Sequence, residues 1–482
     1  VKSVERLIAL RRTIVLTRRL FSTMSGLLYE ARRTLVLAGP IIVGQVSQML
    51  MGVTDALMIG HMGKVPLAAS AFAGSLFGFF FMVAVGLLIP VSIMVSRAHG
   101  GGDEAEAGKW LKHGLVIAGI FSVLGVILML ILGQELHRFG QPSEVLAEVQ
   151  PYYALITLSV IPSLIFQVLR QFSESLERPS EPMILMLIGV VLNIFLNWVF
   201  IYGNLGVPAM GLAGAGWATL ISRFMGMVVI WYWVSRSPYF CASWPRQWGR
   251  GYEWGRFKRL LGLGIPVAFT LSFEAGLFGA AALIMGWLGA TALAAHQIAI
   301  SCAAFVFMFP LGLAMAVSMR MGRAVGEKRL NALRPIGFSA QAISSAFMLI
   351  FVAVFVFGGH AISAAFVSDG EVIELAKKLL VVAAVFLLAD GAQVVGANAV
   401  RGLTDVRLPT VITAVSYWGF ALPLSYGLCM HTELGPVGVW IGLATGLVLA
   451  AIALNFRFIY LTRDSGTHVQ LEKSADPLIE TS

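Results

Sequence analysis

Apolar runs about as long as a bilayer is thick follow one another along this chain, separated by short polar connections. A helix crossing the hydrocarbon core needs about 20 such residues, and windows of that length predict twelve spans. The first six cover residues 35–60, 67–95, 113–133, 152–169, 182–203 and 211–234. The second six cover 264–287, 292–319, 336–358, 378–400, 409–430 and 437–461. Pro90, Pro162, Pro310 and Pro423 fall inside spans, where neighbouring helices re-satisfy the backbone groups that proline frees. The pattern predicts an all-α integral membrane protein.

The pattern also repeats. Residues 40–100 align without a gap on 266–326, and roughly 20 of the 61 positions are identical, far above chance for unrelated apolar segments. LAASAFAGSLFGFFFMVAVGLL from Leu67 lies over LAAHQIAISCAAFVFMFPLGLA from Leu293. The domain plan is therefore a basic N-terminal tail (1–33), an N-lobe of six spans (34–234), a linker (235–262), a C-lobe of six spans (263–462) and a C-terminal tail (463–482). Six spans return the chain to its starting side, so the copies form a parallel repeat about an axis along the membrane normal. The seam between copies is the natural place for a site, and transporters are the commonest class built this way.

Against this background, carboxylates inside the spans stand out. Asp55, Glu274 and Asp390 lie well within them, and a carboxylate at the bilayer centre costs at least about 2.5 kcal/mol on insertion scales. Gln45, Gln48, Gly52 and Asp55 recur at steps of three and four, forming one polar stripe on span 1. Asp390, Gln393, Ala397 and Arg401 do the same on span 10, and Gly189, Asn193 and Asn197 on span 5. Amides beside a carboxylate offer the oxygen donors a hard cation prefers; interhelical hydrogen bonding is the competing role. In the repeat, Gln48 aligns with Glu274 and Asp55 with Ala281, so the lobes share a scaffold but carry different charges. His296 and Gln297 open span 8; the histidine reads first as a packing residue. Arg223 in span 6 has two open roles, pairing with a carboxylate or reaching to an interface.

Charge sets the orientation. Of the 34 Lys and Arg residues, 29 fall on one side, 4 on the other, and Arg223 lies within a span. By the positive-inside rule both termini are cytoplasmic. Only 12% of residues are charged and 58% are hydrophobic, too few charges for a soluble protein of this length. The net charge of +9 sits at span ends, which argues against a nucleic-acid patch. Residues 1–33 lack the layout of a cleaved signal and read as a disordered or interfacial tail. Cys241, Cys302 and Cys429 have no metal-ligand spacing and read as free thiols.

The chain resembles the multidrug and toxic compound extrusion (MATE) transporters, of the NorM branch, over about residues 30–462. The resemblance is carried by GPIIVGQVSQMLMGVTDALMIGHMG in span 1, LNIFLNW in span 5, GIPVAFTLSFEAGLFG in span 7, LAAHQIA in span 8 and ADGAQVVGANAVRG in span 10. It implies an antiporter that exports organic cations and amphipathic drugs against Na⁺ or H⁺, with no cofactor. It further implies a C-lobe coupling site at Glu274 and Asp390 and an N-lobe cation site at Asp55, Asn193 and Asn197, either of which could take Na⁺. Gln45, Gln48, Gln297 and Gln393 are candidate cavity-lining residues. The expected setting is a bacterial inner membrane, as a monomer. A lipid-linked oligosaccharide flippase of the same superfamily is the main alternative. It would need a strongly cationic cavity, whereas the charges within the spans read as mainly acidic. A membrane transferase would need clustered catalytic groups at a span end, and the sequence shows no Asp-x-Asp pair or metal-spaced histidine set.

Overall fold

The computed structural model describes the backbone of residues 2–140 and 142–463 and the side chains from residue 26 onward. The proposed C-terminal tail lies almost wholly outside the described residues. Within them the chain is helical throughout. The N-lobe comprises α1 (Lys2–Gly60), α2 (Lys64–Gly100), α3 (Glu104–Gln134), α4 (Ser143–Leu158), α5 (Val160–Ser175), α6 (Ser180–Tyr202) and α7 (Gly211–Arg236). The C-lobe comprises α8 (Trp254–Trp287), α9 (Ala290–Gly326), α10 (Leu333–Phe366), α11 (Gly370–Gly402), α12 (Arg407–Ala414), a π-helical turn (Val415–Ala421), α13 (Leu422–His431) and α14 (Pro436–Leu461).

Eleven crossings among the described residues are long and apolar enough to span a membrane. The twelfth span is α11, which is buried along most of its length and packs chiefly on α9, α10 and α14. Two expected spans are each made of more than one helix. The fourth crossing runs Ser143–Ser175 with a break at Ser159, and the eleventh passes through the π-turn between α12 and α13. Helix α1 is continuous across the boundary drawn at residue 33. No Gly or Pro occurs between residues 2 and 25 to stop it, so helix propagates into the segment read as a disordered or interfacial tail.

The sequence repeat is reproduced in backbone geometry. Helices α2 and α9 are each 37 residues long and start 226 positions apart. Each is preceded by a glycine in the left-handed region, Gly63 at φ 127° and Gly289 at φ 108°, which turns the chain back without a Cβ clash. Asp103 caps α3 by accepting from the Glu106 amide at 2.8 Å, and Asp369 caps α11 by accepting from Glu371 at 2.9 Å.

The lobes meet chiefly through two equivalent helices on each side, α1 and α2 of the N-lobe and α8 and α9 of the C-lobe. Lipid is as apolar as leucine, so helices in a membrane associate by close packing, which small residues permit. Gly100 rests on the Arg323 carbonyl and Gly326 on the Arg97 carbonyl; Gly86 rests on the Ala268 backbone and Gly312 on the Ile42 backbone. These are reciprocal pairs under the repeat, so the seam has a pseudo-twofold axis. Leu37, Ala38 and Ile41 of α1 join Leu313, Ala314 and Val317 of α9 in one buried cluster. All these approaches lie in the first halves of α8 and of the apolar crossing of α1 (Gly26–Gly60), and in the second halves of α2 and α9. The seam is closed at the end of the bundle where the crossing of α1 and helix α8 begin.

Candidate functional site

In the N-lobe, Asn193 and Asn197 stand one turn apart on α6, both fully buried. Asn197 donates through Nδ2 to Asp55 Oδ1 at 2.6 Å and to Asn193 Oδ1 at 3.2 Å. The sequence-predicted trio is thus brought together. The arrangement leaves Asn197 Oδ1 buried with no hydrogen-bond partner, beside a carboxylate. A buried carbonyl without a donor is costly unless something cationic or protic meets it. The donor set is all oxygen, which fits a hard monovalent cation.

Asp55 opens onto a cavity of about 200 Å³ together with Gln48, Gly52, Gly189 and Arg223, with Phe81, Phe166 and Met51 as apolar walls. The stripe on span 1 therefore faces a cavity, as its spacing predicts. Gln45 lies one turn further along and accepts from Arg170 at 3.1 Å.

Arg170 corrects the sequence reading. The apolar window ends span 4 at residue 169, which leaves Arg170 in a loop and only three carboxylates inside the spans. Instead the crossing continues to Ser175 and buries Arg170 against Glu174 at 3.3 Å, with side-chain exposures of 3% and 4%. A window of about 20 apolar residues stops at the first charge, whereas an i,i+4 pair of opposite charges lets a helix continue through dry surroundings. The N-lobe cavity consequently includes two guanidinium-bearing side chains, Arg170 and Arg223, so its charge is mixed where the reading expected mainly acid. Arg170 is matched by Glu174.

In the C-lobe, α11 buries Asp390 and Gln393, and Asp390 Oδ1 and Gln393 Oε1 have no hydrogen-bond partner. Glu274 on α8 interacts electrostatically with Asp390 and with Arg401, which donates to Asn398 Oδ1 at 3.2 Å. Two carboxylates in shared dry surroundings repel each other, and a proton or small cation between them relieves that repulsion. Tyr417 is a member of this cluster that the sequence reading missed. It is fully buried on the π-turn, its hydroxyl unpartnered, within electrostatic reach of both acids. The turn is docked beside Glu274, because Trp418 Nε1 donates to the Phe273 carbonyl at 3.2 Å. A π-turn leaves no mark in hydropathy, but such turns recur at functional sites.

The remaining candidates separate. His296 is buried with its ring edge-on to Trp440 at 5.7 Å, in the packing role favoured for it. Gln297 is exposed and bonds Ser301 at 3.4 Å, apart from both clusters. Arg223 reaches neither interface: its guanidinium donates to Ser159 Oγ at 2.8 Å and lies 4.7 Å from the Phe77 ring centroid. The three cysteines are free.

At the closed end, an ion-pair network crosses the seam. Arg320 pairs with Glu30 of α1, both buried; Arg329 reaches Glu30 at 3.3 Å and Glu327 at 3.1 Å. Arg323 bonds Glu327 at 2.6 Å and pairs with Glu177 in the loop after α5, which Arg33 also approaches at 3.6 Å. Glu327 stands just beyond α9. Burial is the largest influence on it and acts upward, but hydrogen bonds from Arg323 and Arg329 and their charges together hold its carboxyl below the usual range.

Comparison with known proteins gives concordant results. The probable multidrug resistance protein NorM of Mesorhizobium japonicum is 36% identical over 443 residues, covering 89% of this chain and 94% of the relative. The multidrug resistance protein NorM of Burkholderia vietnamiensis is 33% identical, covering 88% and 92%. Among solved structures, the Vibrio cholerae MATE transporter VcmN superposes with a TM-score of 0.85 at 22% identity, covering 92% of this chain and 100% of that one. The eukaryotic MATE transporter AtDTX14 superposes with a TM-score of 0.84 at 19% identity, covering 94% and 100%. The MatE family model matches twice, over residues 40–199 and 266–427, once in each copy of the repeat. A duplicated bundle with this family's pattern in both halves, and full-length relatives at this identity, make the chain a member of the MatE family.

Proposed function

We propose that the protein is a multidrug efflux antiporter that moves organic cations and amphipathic drugs outward in exchange for Na⁺ or H⁺. One observation carries the reading: each lobe holds a buried acid cluster with unpartnered oxygens, and the tight glycine approaches between the lobes all lie at one end of their seam. The names of the NorM relatives support drug export. The excess of basic residues on the side that carries both termini supports cytoplasmic termini in an inner membrane. On that orientation the closed end is cytoplasmic and this is an outward-open arrangement. Transport then proceeds by rocking of the lobes about the glycine-lined seam, with no covalent step and no resident cofactor.

Each group has a distinct task. Asp55, with Asn193 and Asn197, receives a cation in the N-lobe. Glu274 and Asp390 take the coupling ion, and the charge it neutralises changes the cost of closing the C-lobe around them. The network through Glu30 and Arg320 holds the cytoplasmic side shut until that happens. One charge moving down 100 mV supplies about 2.3 kcal/mol, enough for about fifty-fold accumulation of a neutral substrate. A monocation leaving against the same potential cancels most of this, so one-for-one exchange rests on the ion's concentration gradient.

The protein is expected to work as a monomer, since each chain holds both lobes. The test is efflux of a fluorescent organic cation from proteoliposomes under a Na⁺ gradient, then under a pH gradient. Efflux driven by either supports the reading, and the effective gradient names the ion. Equal rates with and without each gradient would contradict it.

A further inference from the structure

Arg223 is the charged group in the N-lobe cavity for which drug export and ion coupling give no role. It shares that cavity with Asp55, and no ion pair joins the two. Its guanidinium is held instead by neutral partners. Ser159 Oγ accepts from it at 2.8 Å, and the Phe77 ring lies beneath it at 4.7 Å. Ser159 is fully buried at the break between α4 and α5, and its own hydroxyl donates to the Ile156 carbonyl at 2.6 Å. The hydroxyl that receives Arg223 is therefore fixed by the helix break. Arg170, the other guanidinium of the cavity, is already matched by Glu174.

We propose that Arg223 is a tethered counter-cation that sets the cation affinity of the Asp55 site. The inference rests on reading Asp55 as the place where a cationic ligand binds. In a cavity of about 200 Å³ with apolar walls, charges are poorly screened and interact well beyond contact distance. Arg223 offsets part of the Asp55 charge while the cavity is empty, so its charge need not be imported. Any cation that arrives meets both the attraction of Asp55 and the repulsion of a guanidinium that cannot leave. The site is thereby kept weak, which an exporter needs in order to release what it binds.

The test uses the purified full-length protein and tetraphenylphosphonium, a permanently charged monocation, with affinity read by equilibrium binding. Arg223→Met removes the charge and keeps much of the side-chain length; Arg223→Gln does the same with a polar end, should the first variant fold poorly. Either is expected to tighten binding at least tenfold, while Arg223→Lys stays within about threefold of the wild type. Adding Asp55→Asn to Arg223→Met should abolish the gain. Unchanged or weaker binding in both folded neutral variants, while Asp55→Asn alone still weakens it, overturns the role of Arg223 and leaves the cation site standing. If Asp55→Asn alone leaves binding unchanged, both fall.

Discussion

Glu30 and Arg320 lie 290 positions apart in sequence and form a buried ion pair across the seam between the two repeats. Arg320 also donates to the Glu30 carbonyl at 2.7 Å and to the Thr34 hydroxyl, so the guanidinium is bound by side chain and backbone together. Removing one partner of such a pair leaves the other charge buried and uncompensated, at a cost of about 3–5 kcal/mol. Glu30→Gln should therefore shift the protein away from the state closed at this end. Spin labels at Ser180→Cys and Lys328→Cys, one on each lobe, should report a longer distance population in Glu30→Gln than in the parent. An unchanged distance distribution would show that the glycine packing alone holds the seam.

The same network is expected to be insensitive to pH in the neutral range. Glu327 has its carboxyl held below the ordinary value, so its contribution is fully present above that ordinary value of 4.5 and is lost only as pH falls through the lower folded value. Label distances across the seam should be constant from about pH 6 to 8. Any pH dependence of transport in that window then arises outside this network.

Packing at the seam makes a reciprocal prediction. A Cβ on Gly100 would strike the Arg323 carbonyl, and one on Gly326 the Arg97 carbonyl. Gly100→Ala and Gly326→Ala should each destabilise the closed seam by about 1–3 kcal/mol, the usual cost of overpacking. Gly78→Ala, where nothing lies within 4 Å, should be neutral. Thermal unfolding of the purified variants decides it; different effects at Gly100 and Gly326 would argue against a symmetric seam.

Much of this was legible in the sequence. The gapless repeat gave the two lobes, and it proved accurate down to the matching lengths of α2 and α9 and the turns at Gly63 and Gly289. The spacing of Asp55 on span 1 and of Asn193 and Asn197 on span 5 placed them on faces that do meet. Two of the features the sequence hides share one physical cause. Arg170 with Glu174, and Glu30 with Arg320, are charges made affordable inside the bundle by a partner, and a hydropathy window scores each residue alone. Tyr417 depends on a π-turn, which changes backbone register without changing composition. The sequence leaves the role of Arg223 open, because only the fold brings Ser159 and Phe77 to its guanidinium.

Orientation has a direct check. Lys64 lies at the start of α2, at the end of the bundle away from the closed seam. Lys64→Cys should react with a membrane-impermeant thiol reagent in intact cells, after subtraction of labelling at the native cysteines, of which Cys241 is exposed. Labelling seen only after permeabilisation would reverse the assignment and make the closed end external.

The central claim is that Asp390, with Glu274, couples an ion to export. Asp390→Asn keeps the side-chain size and most hydrogen bonding but removes the group that takes up a proton or pairs with a cation. An acid that only packs helices would tolerate that change. The deciding measurement is efflux of a fluorescent organic cation from proteoliposomes of Asp390→Asn, under the gradient that drives the wild type and normalised to protein content. Efflux should fall to the gradient-free background with protein abundance near normal, and Glu274→Gln should act in the same direction. Export by Asp390→Asn at the wild-type rate would contradict the claim.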